Sequence, residues 1–191
     1  MAIKVGNKLI VITGASGSGK TTVSNYLHDN YGVLRVITHT TRPPRQGEQN
    51  KIDYYFETQA SFAKNHYIES VNYAGNQYCS SREALQRAWR KRRVVSLVLD
   101  TKGAEAYVKV MPKQLIVLYV AITDAKILRA RLEKRGDTPA AIEQRLQSEE
   151  AKRDLAVPAG LKGCAHVILN DSWDEAKQQV DQVLKEELIR K

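Results

Sequence analysis

Eight consecutive residues, Gly14-Ala15-Ser16-Gly17-Ser18-Gly19-Lys20-Thr21, restrict what this chain can fold into more than any other stretch. They satisfy the pattern G-x-x-x-x-G-K-[ST], follow the apolar run Leu9-Ile10-Val11-Ile12 and precede a helix-like segment, which is the context a phosphate-cradling loop needs. A flexible Gly/Ser linker is the plain alternative. Four fixed positions of this kind arise by chance in such a chain at roughly the one-per-cent level. The glycines let backbone N–H groups approach a phosphate without Cβ clashes, and the following helix points its partly positive N-terminus at the same place. Lys20 would reach the β- and γ-phosphates of a nucleotide, and the Thr21 hydroxyl would ligate Mg²⁺.

With 191 residues, 42% of them hydrophobic, the chain can bury one substantial core. The longest apolar run, Leu115 to Ile122, is far short of the roughly twenty residues of a membrane span and reads as a buried strand. A cleaved leader would remove the phosphate loop, so a cytoplasmic location is expected. Cys79 and Cys164 lack metal or C-x-x-C spacing and read as free thiols. The net charge of +9 admits a nucleic-acid binder or an enzyme for phosphorylated small molecules. The densest basic run, Arg90-Lys91-Arg92-Arg93, falls where a helix ends. There the cations either complement the helix dipole or form a polyanion site.

Residues 8–13 read as a buried strand, Val23 to Tyr31 as a helix stopped by Gly32, and 34–38 as a second strand, together a βαβ unit with a parallel sheet. Thr40-Thr41-Arg42-Pro43-Pro44-Arg45-Gln46-Gly47-Glu48 then forms a proline-stiffened loop. Arg42 and Arg45 either fork onto phosphate oxygens or stand as solvated charges on a surface turn. Residues 39–80 read as a small tyrosine-rich β insertion with a hairpin turning at Ala74-Gly75-Asn76-Gln77, a natural place for a second substrate. Ser80-Ser81-Arg82-Glu83 fits a capping box, and Ser80 is as readily a cap as a ligand contact. The apolar run Val94 to Asp100 reads as a parallel strand ending in a carboxylate, which serves either the metal and phosphates or only the turn.

A helix around 103–110 and the strand 114–122 follow. Thr123 reads as the cap of a helix carrying Arg129, Arg131 and Arg135, and Thr138-Pro139 opens another that carries Arg145 and ends near Leu155. The apolar face of this pair is thin, mainly Leu128, Leu132, Ile142 and Leu146, which suits a mobile lid. A strand at 165–170 and an amphipathic C-terminal helix opened by Ser172-Trp173-Asp174-Glu175 complete the chain. Five parallel strands (8–13, 34–38, 94–100, 114–122 and 165–170) place ligands at their carboxyl ends.

The whole chain resembles a guanylate kinase, a nucleoside monophosphate kinase with the P-loop fold. The residues that carry the likeness are Gly14–Thr21, Thr38 to Glu48, Asp53-Tyr54, Ile68-Glu69, Gly75-Asn76-Gln77-Tyr78, Leu99-Asp100, Arg131 to Arg135-Gly136 and Asn170-Asp171. The resemblance implies a three-layer α/β/α core with a five-stranded parallel sheet (1–38, 94–123 and 156–191), a mixed β subdomain for GMP (39–93) and a helical lid (124–155). It implies ATP on Gly14, Ala15, Ser16, Gly17, Ser18, Gly19, Lys20, Thr21, Thr22 and Asn170. Arg42, Arg45, Tyr54 and Tyr78 would hold the GMP phosphate, and Thr38, Glu69, Ser80 and Asp100 the guanine. Guanine offers two adjacent donors to the Glu69 carboxylate, whereas the N1 acceptor of adenine would meet it with repulsion.

The implied reaction moves the ATP γ-phosphoryl group to GMP or dGMP, with charge offset by Lys20, Arg42, Arg131, Arg135 and Arg145 and by Mg²⁺ on Thr21 and water, Asp100 being a further candidate through water. The implied partners are these nucleotides, with no nucleic acid and no membrane, in a monomer or homodimer. The chain departs from the family pattern Asp-x-Asp-x-Gln-Gly at Val98 and Lys102, and at Cys79 and His39, where glycine and serine are common. All four changes are expected on the acceptor side. Two other readings follow from them: a guanylate-kinase-like domain that binds nucleotide or protein with weakened catalysis, and a kinase for another phosphorylated acceptor such as a sugar phosphate.

Overall fold

The computed structural model describes residues 6–44, 47–73, 76–134, 136–148 and 152–189. Arg45, Gly75 in the hairpin turn, Arg135 and the side chain of Arg145 lie outside the described residues.

The main sheet has five parallel strands in the order β2-β7-β1-β8-β9: β1 (Lys8–Thr13), β2 (Leu34–Arg35), β7 (Val94–Val98), β8 (Leu115–Ala121) and β9 (Ala165–Leu169). Side chains alternate across a strand, so β1 feeds two cores. Ile10 and Ile12 join Val23 and Leu27 of α1 (Lys20–Tyr31) and Val180 and Leu184 of α7 (Trp173–Ile189). Leu9 and Val11 join Leu85 of α3 (Arg82–Lys91) and Ala104 and Tyr107 of α4 (Thr101–Val110). The result is the expected α/β/α sandwich.

The second strand is shorter than expected. Only Leu34 and Arg35 pair with β7, and one further bond runs from Val36 N to Ser96 O at 2.8 Å. The chain then changes sheets: the Thr38 carbonyl accepts from Tyr55 N, and His39–Thr40 becomes β3 of a second, mixed sheet. That sheet runs β4-β3-β6-β5, with β4 (Tyr55–Phe56), β5 (Tyr67–Tyr73) and β6 (Asn76–Ser81), and the short α2 (Gln59–Phe62) lies between β4 and β5. In its ladder Tyr67 faces Ser81 and Glu69 faces Ser80, so Ile68 is an extra residue and β5 bulges beside Glu69.

Two expected caps are displaced. α3 is capped by Ser81, whose hydroxyl accepts from Ala84 N at 3.1 Å. Ser80 is still in the β6 ladder, and Glu83 reaches His66 Nδ1 at 2.6 Å instead of closing a box. Thr123 does not cap α5 (Ala125–Lys134). Its hydroxyl donates to Asp171 Oδ2 at 2.6 Å, and Asp124 Oδ1 accepts from Lys126 N at 2.8 Å. α4 starts earlier than expected because Asp100 caps it, accepting from Gly103 N at 2.7 Å. The helix α6 (Pro139–Gln147) is started by Thr138 as expected, with Ala141 N donating to its hydroxyl at 3.3 Å, but it stops before Leu155. Leu128 and Leu132 of α5 and Ile142 of α6 are buried, with Leu132 turned toward Gly17 of the loop.

Candidate nucleotide and phosphate site

Gly14 and Gly19 have φ of 130° and 101°. A Cβ on Gly14 would stand 2.3 Å from the Val120 carbonyl, and one on Gly19 would stand 2.2 Å from Asn170 Nδ2, so only glycine lets the loop lie this close to β8 and Asn170. Two groups fasten the loop from outside. Asn170 Nδ2 donates to Ser18 O at 2.7 Å, and Arg131 donates to Asn170 O at 2.7 Å and to Ser18 O at 3.3 Å. Ala15 and Ser18 are buried, so both enter the site through their backbones. Lys20 Nζ is folded onto the Gly14 and Ala15 carbonyls, at 2.7 Å from each.

Beside the loop lies a cavity of about 540 Å³, walled by Ser16, Gly17, Gly19, Lys20, Thr21 and Thr22 on one side and by Arg131, Asn170 and Trp173 on the other. The first-turn N–H groups of α1 have no intrahelical partners, which makes this wall suited to an anion. Trp173 is half-buried, packs edge-on against Tyr26 at 5.5 Å and also faces the cavity.

A second cavity, of about 310 Å³, lies on the other side of the loop. Thr38, Tyr54, Glu69, Tyr78 and Asp100 line it, and so do Ser16 and Lys20, which the two cavities share. Tyr54 and Tyr78 meet edge-on, 6.2 Å apart. Arg42 stands behind them, 5.7 Å from the Tyr54 ring, with its guanidinium bonded to Glu48 at 2.9 Å and to Pro43 O at 2.7 Å. Its buried Nε has no hydrogen-bond partner among the described residues.

Burial, reinforced by the nearby Asp100 charge, pushes the Glu69 pKa up to about 7 against the opposing bond from Ser80. Ser80 is itself wholly buried, so it meets the cavity only through Glu69, to whose Oε1 it donates at 2.9 Å. The remaining Asp100 oxygen accepts from Arg153 at 3.3 Å, and Arg153 also bonds Asp154, which buries its carboxylate against Thr101. Nothing in the local sequence marks this junction, because the partners of Arg153 and Asp154, Asp100 and Thr101, lie 53 positions away in the chain.

Of the four departures, Val98 and Cys79 line the second cavity. Lys102 instead faces the neighbouring cleft with Asp100 and Arg153. His39 lies away from the cavity. It is buried under the small sheet, stacked on Tyr55 at 4.8 Å, with Nδ1 2.7 Å from Glu57 and Nε2 2.8 Å from Ser81 Oγ. A carboxylate can only accept, so Nδ1 carries the proton, and burial lowers the pKa of the ring and keeps it neutral. Its role is to buckle the insertion onto α3. Among the described residues no group of three or more His, Cys, Asp or Glu side chains could hold a metal ion, and no helix is long and apolar enough to cross a membrane.

The guanylate kinase family profile matches residues 6–187. The human guanylate kinase is 32% identical over 190 residues, spanning 96% of this chain and 95% of its own. The guanylate kinase of Wolbachia pipientis wMel is 31% identical, spanning 100% and 96%. The crystal structure of guanylate kinase from Anaplasma phagocytophilum superposes with a TM-score of 0.66 at 23% identity, over 97% of this chain and 88% of that one, and so shares the fold. With matches that run from end to end in sequence and in architecture, the chain belongs to the guanylate kinase family.

Proposed function

We propose that the chain transfers the γ-phosphoryl group of ATP to GMP or dGMP, giving ADP and the guanine nucleoside diphosphate. The observation that carries this reading is the shared wall. Lys20 and Ser16 border both cavities, so a donor phosphate in one and an acceptor phosphate in the other would approach each other across a single ammonium. An acceptor phosphate already bears negative oxygens and needs no general base, which leaves alignment and charge compensation as the work of the protein.

In this reading ATP lies along Gly14–Thr22 with its base toward Asn170 and Trp173, and Lys20 leaves the loop carbonyls for the phosphates. Tyr54, Tyr78, Arg42 and Arg45 hold the acceptor phosphate. Arg42 brings an unspent Nε–H and a guanidinium already fixed by Glu48. Glu69, backed by Ser80 and joined by Thr38 and Asp100, takes the N1–H and 2-amino donors of guanine. Arg131 already reaches the loop, and Arg135 and Arg145 would complete the cationic ring when the helical lid, 124–155, closes over the core and excludes water.

The Thr21 hydroxyl on the wall of the larger cavity is a hard oxygen of the kind Mg²⁺ accepts, and this ion commonly binds through one or two protein oxygens together with water and substrate phosphates. Thr21, with Asp100 through water, would hold it, and it would neutralise charge on the phosphates. The match across residues 6–187 and the intact loop weigh against a pure binding domain.

A coupled assay for ADP with GMP, dGMP, AMP and UMP tests the proposal. ADP formation is expected with the two guanine nucleotides, and its absence with both would refute the assignment.

A further inference from the structure

Behind the second cavity lies a buried phenol that the reaction outlined above does not use. Tyr107 on α4 is wholly buried, and its hydroxyl donates to Ser80 Oγ at 2.9 Å, which in turn donates to Glu69 Oε1 at 2.9 Å. Three elements, α4, β6 and β5, thus contribute one link each to a chain of hydrogen bonds ending on a carboxylate. A serine hydroxyl has one proton and two lone pairs. With the phenol donating into a lone pair, the Ser80 proton is committed to Glu69, and each bond polarises and strengthens the next. Gly103 keeps the space beside this carboxylate free: a Cβ there would stand 3.4 Å from Glu69 Oε2 and 3.1 Å from Asp100 Oδ1.

We propose that Tyr107 is a positioning residue for base recognition, acting through Ser80 to fix the plane of the Glu69 carboxylate so that each oxygen keeps a lone pair for a donor on the purine edge. The proposal rests on the reading of the acceptor as a guanine nucleotide. The same relay supports the charged form of Glu69, because the Ser80 bond lowers the pKa that burial and Asp100 raise. Besides Asp100, the titratable or charged groups that share a cavity with this carboxylate are Lys20, Tyr54, Tyr78, Cys79 and Asp154 on one side and Lys102 and Arg153 in the adjoining cleft, with Arg82 of α3 acting on Tyr107.

The test uses the full chain with Tyr107→Phe, Ser80→Ala and the double variant. Tyr107→Phe should raise KM for GMP about three- to tenfold, the value of one lost hydrogen bond, while KM for ATP moves less than about twofold. On the Ser80→Ala background the increment should vanish, since a residue acting through Ser80 has nothing left to act on. An equal rise in both KM values, or an undiminished increment without Ser80, would overturn the proposal. NMR titration of the Glu69 side-chain carboxyl without nucleotide decides it independently, with an upward shift of about half a unit expected in Tyr107→Phe. An unmoved titration overturns the relay, whereas wild-type protein inert toward GMP overturns the acceptor assignment and leaves the titration still decisive. If Tyr107→Phe does not fold, Ser80→Ala must raise the same titration at least as far, or the relay is refuted.

Discussion

Replacing Glu69 by Gln should make the protein more stable and less able to use GMP, in a manner that depends on pH. The Glu69 carboxyl titrates near 7 in the folded chain against an ordinary value of 4.5, chiefly because it is removed from water and second because Asp100 is close. Between those two values the folded state holds a proton that the unfolded state has lost, so stability falls as pH rises through the window. A shift from 4.5 to about 7, at about 1.4 kcal/mol per unit, sets an upper bound of about 3 kcal/mol above pH 7. Partial solvent contact reduces this to about 1–2 kcal/mol. Gln keeps the acceptor for the Ser80 hydroxyl at Oε1 but never ionises. Urea unfolding should therefore give nearly equal midpoints for the two proteins at pH 4.5 and a variant that is more stable at pH 8. In the same preparations kcat/KM for GMP should fall by about a hundredfold or more, since both donors of the base lose a charged acceptor. A stability difference that is the same at both pH values, or a destabilised variant at pH 8, would show that the carboxylate is not held in the environment described.

The Lys20→Met variant should lose a few orders of magnitude in turnover, because the ammonium stands on the wall shared by the two cavities, 2.7 Å from the Gly14 and Ala15 carbonyls; steady-state kinetics with a mild loss would refute its place between the cavities. Gly19→Ala should abolish stabilisation by ATP·Mg²⁺ in a thermal-shift measurement, since the added methyl would collide with Asn170 Nδ2 at 2.2 Å in a backbone conformation that alanine resists; an undiminished shift would refute the close loop–Asn170 packing.

The core strands were legible because they are continuous apolar runs bounded by turn residues, and the loop was legible because its glycines and lysine have a fixed spacing. What escaped depended on partners distant in sequence. Tyr107 falls on the apolar stripe of α4, and nothing local says that its hydroxyl meets Ser80. Ser80 and Ser81 are equivalent in a capping pattern until the bulge at Ile68 fixes which of them faces Glu69. Thr123 resembles a cap by type and position, but Asp171 competes for its hydroxyl from another strand end. The strand expected to reach Thr38 is cut short because the residues after Val36 enter a different sheet, a choice set by pairing with Cys79 and Tyr55 and invisible in β propensity alone.

Since Ser16 and Lys20 are the residues common to both cavities among the described walls, the two ends of the molecule are free to diverge separately. On the proposed assignment, changes in the tyrosine-rich sheet would retune which base is admitted without disturbing the phosphate loop, and changes around Trp173 would alter the donor side alone. A substitution at the junction itself has no such freedom, because it weakens both substrates at once.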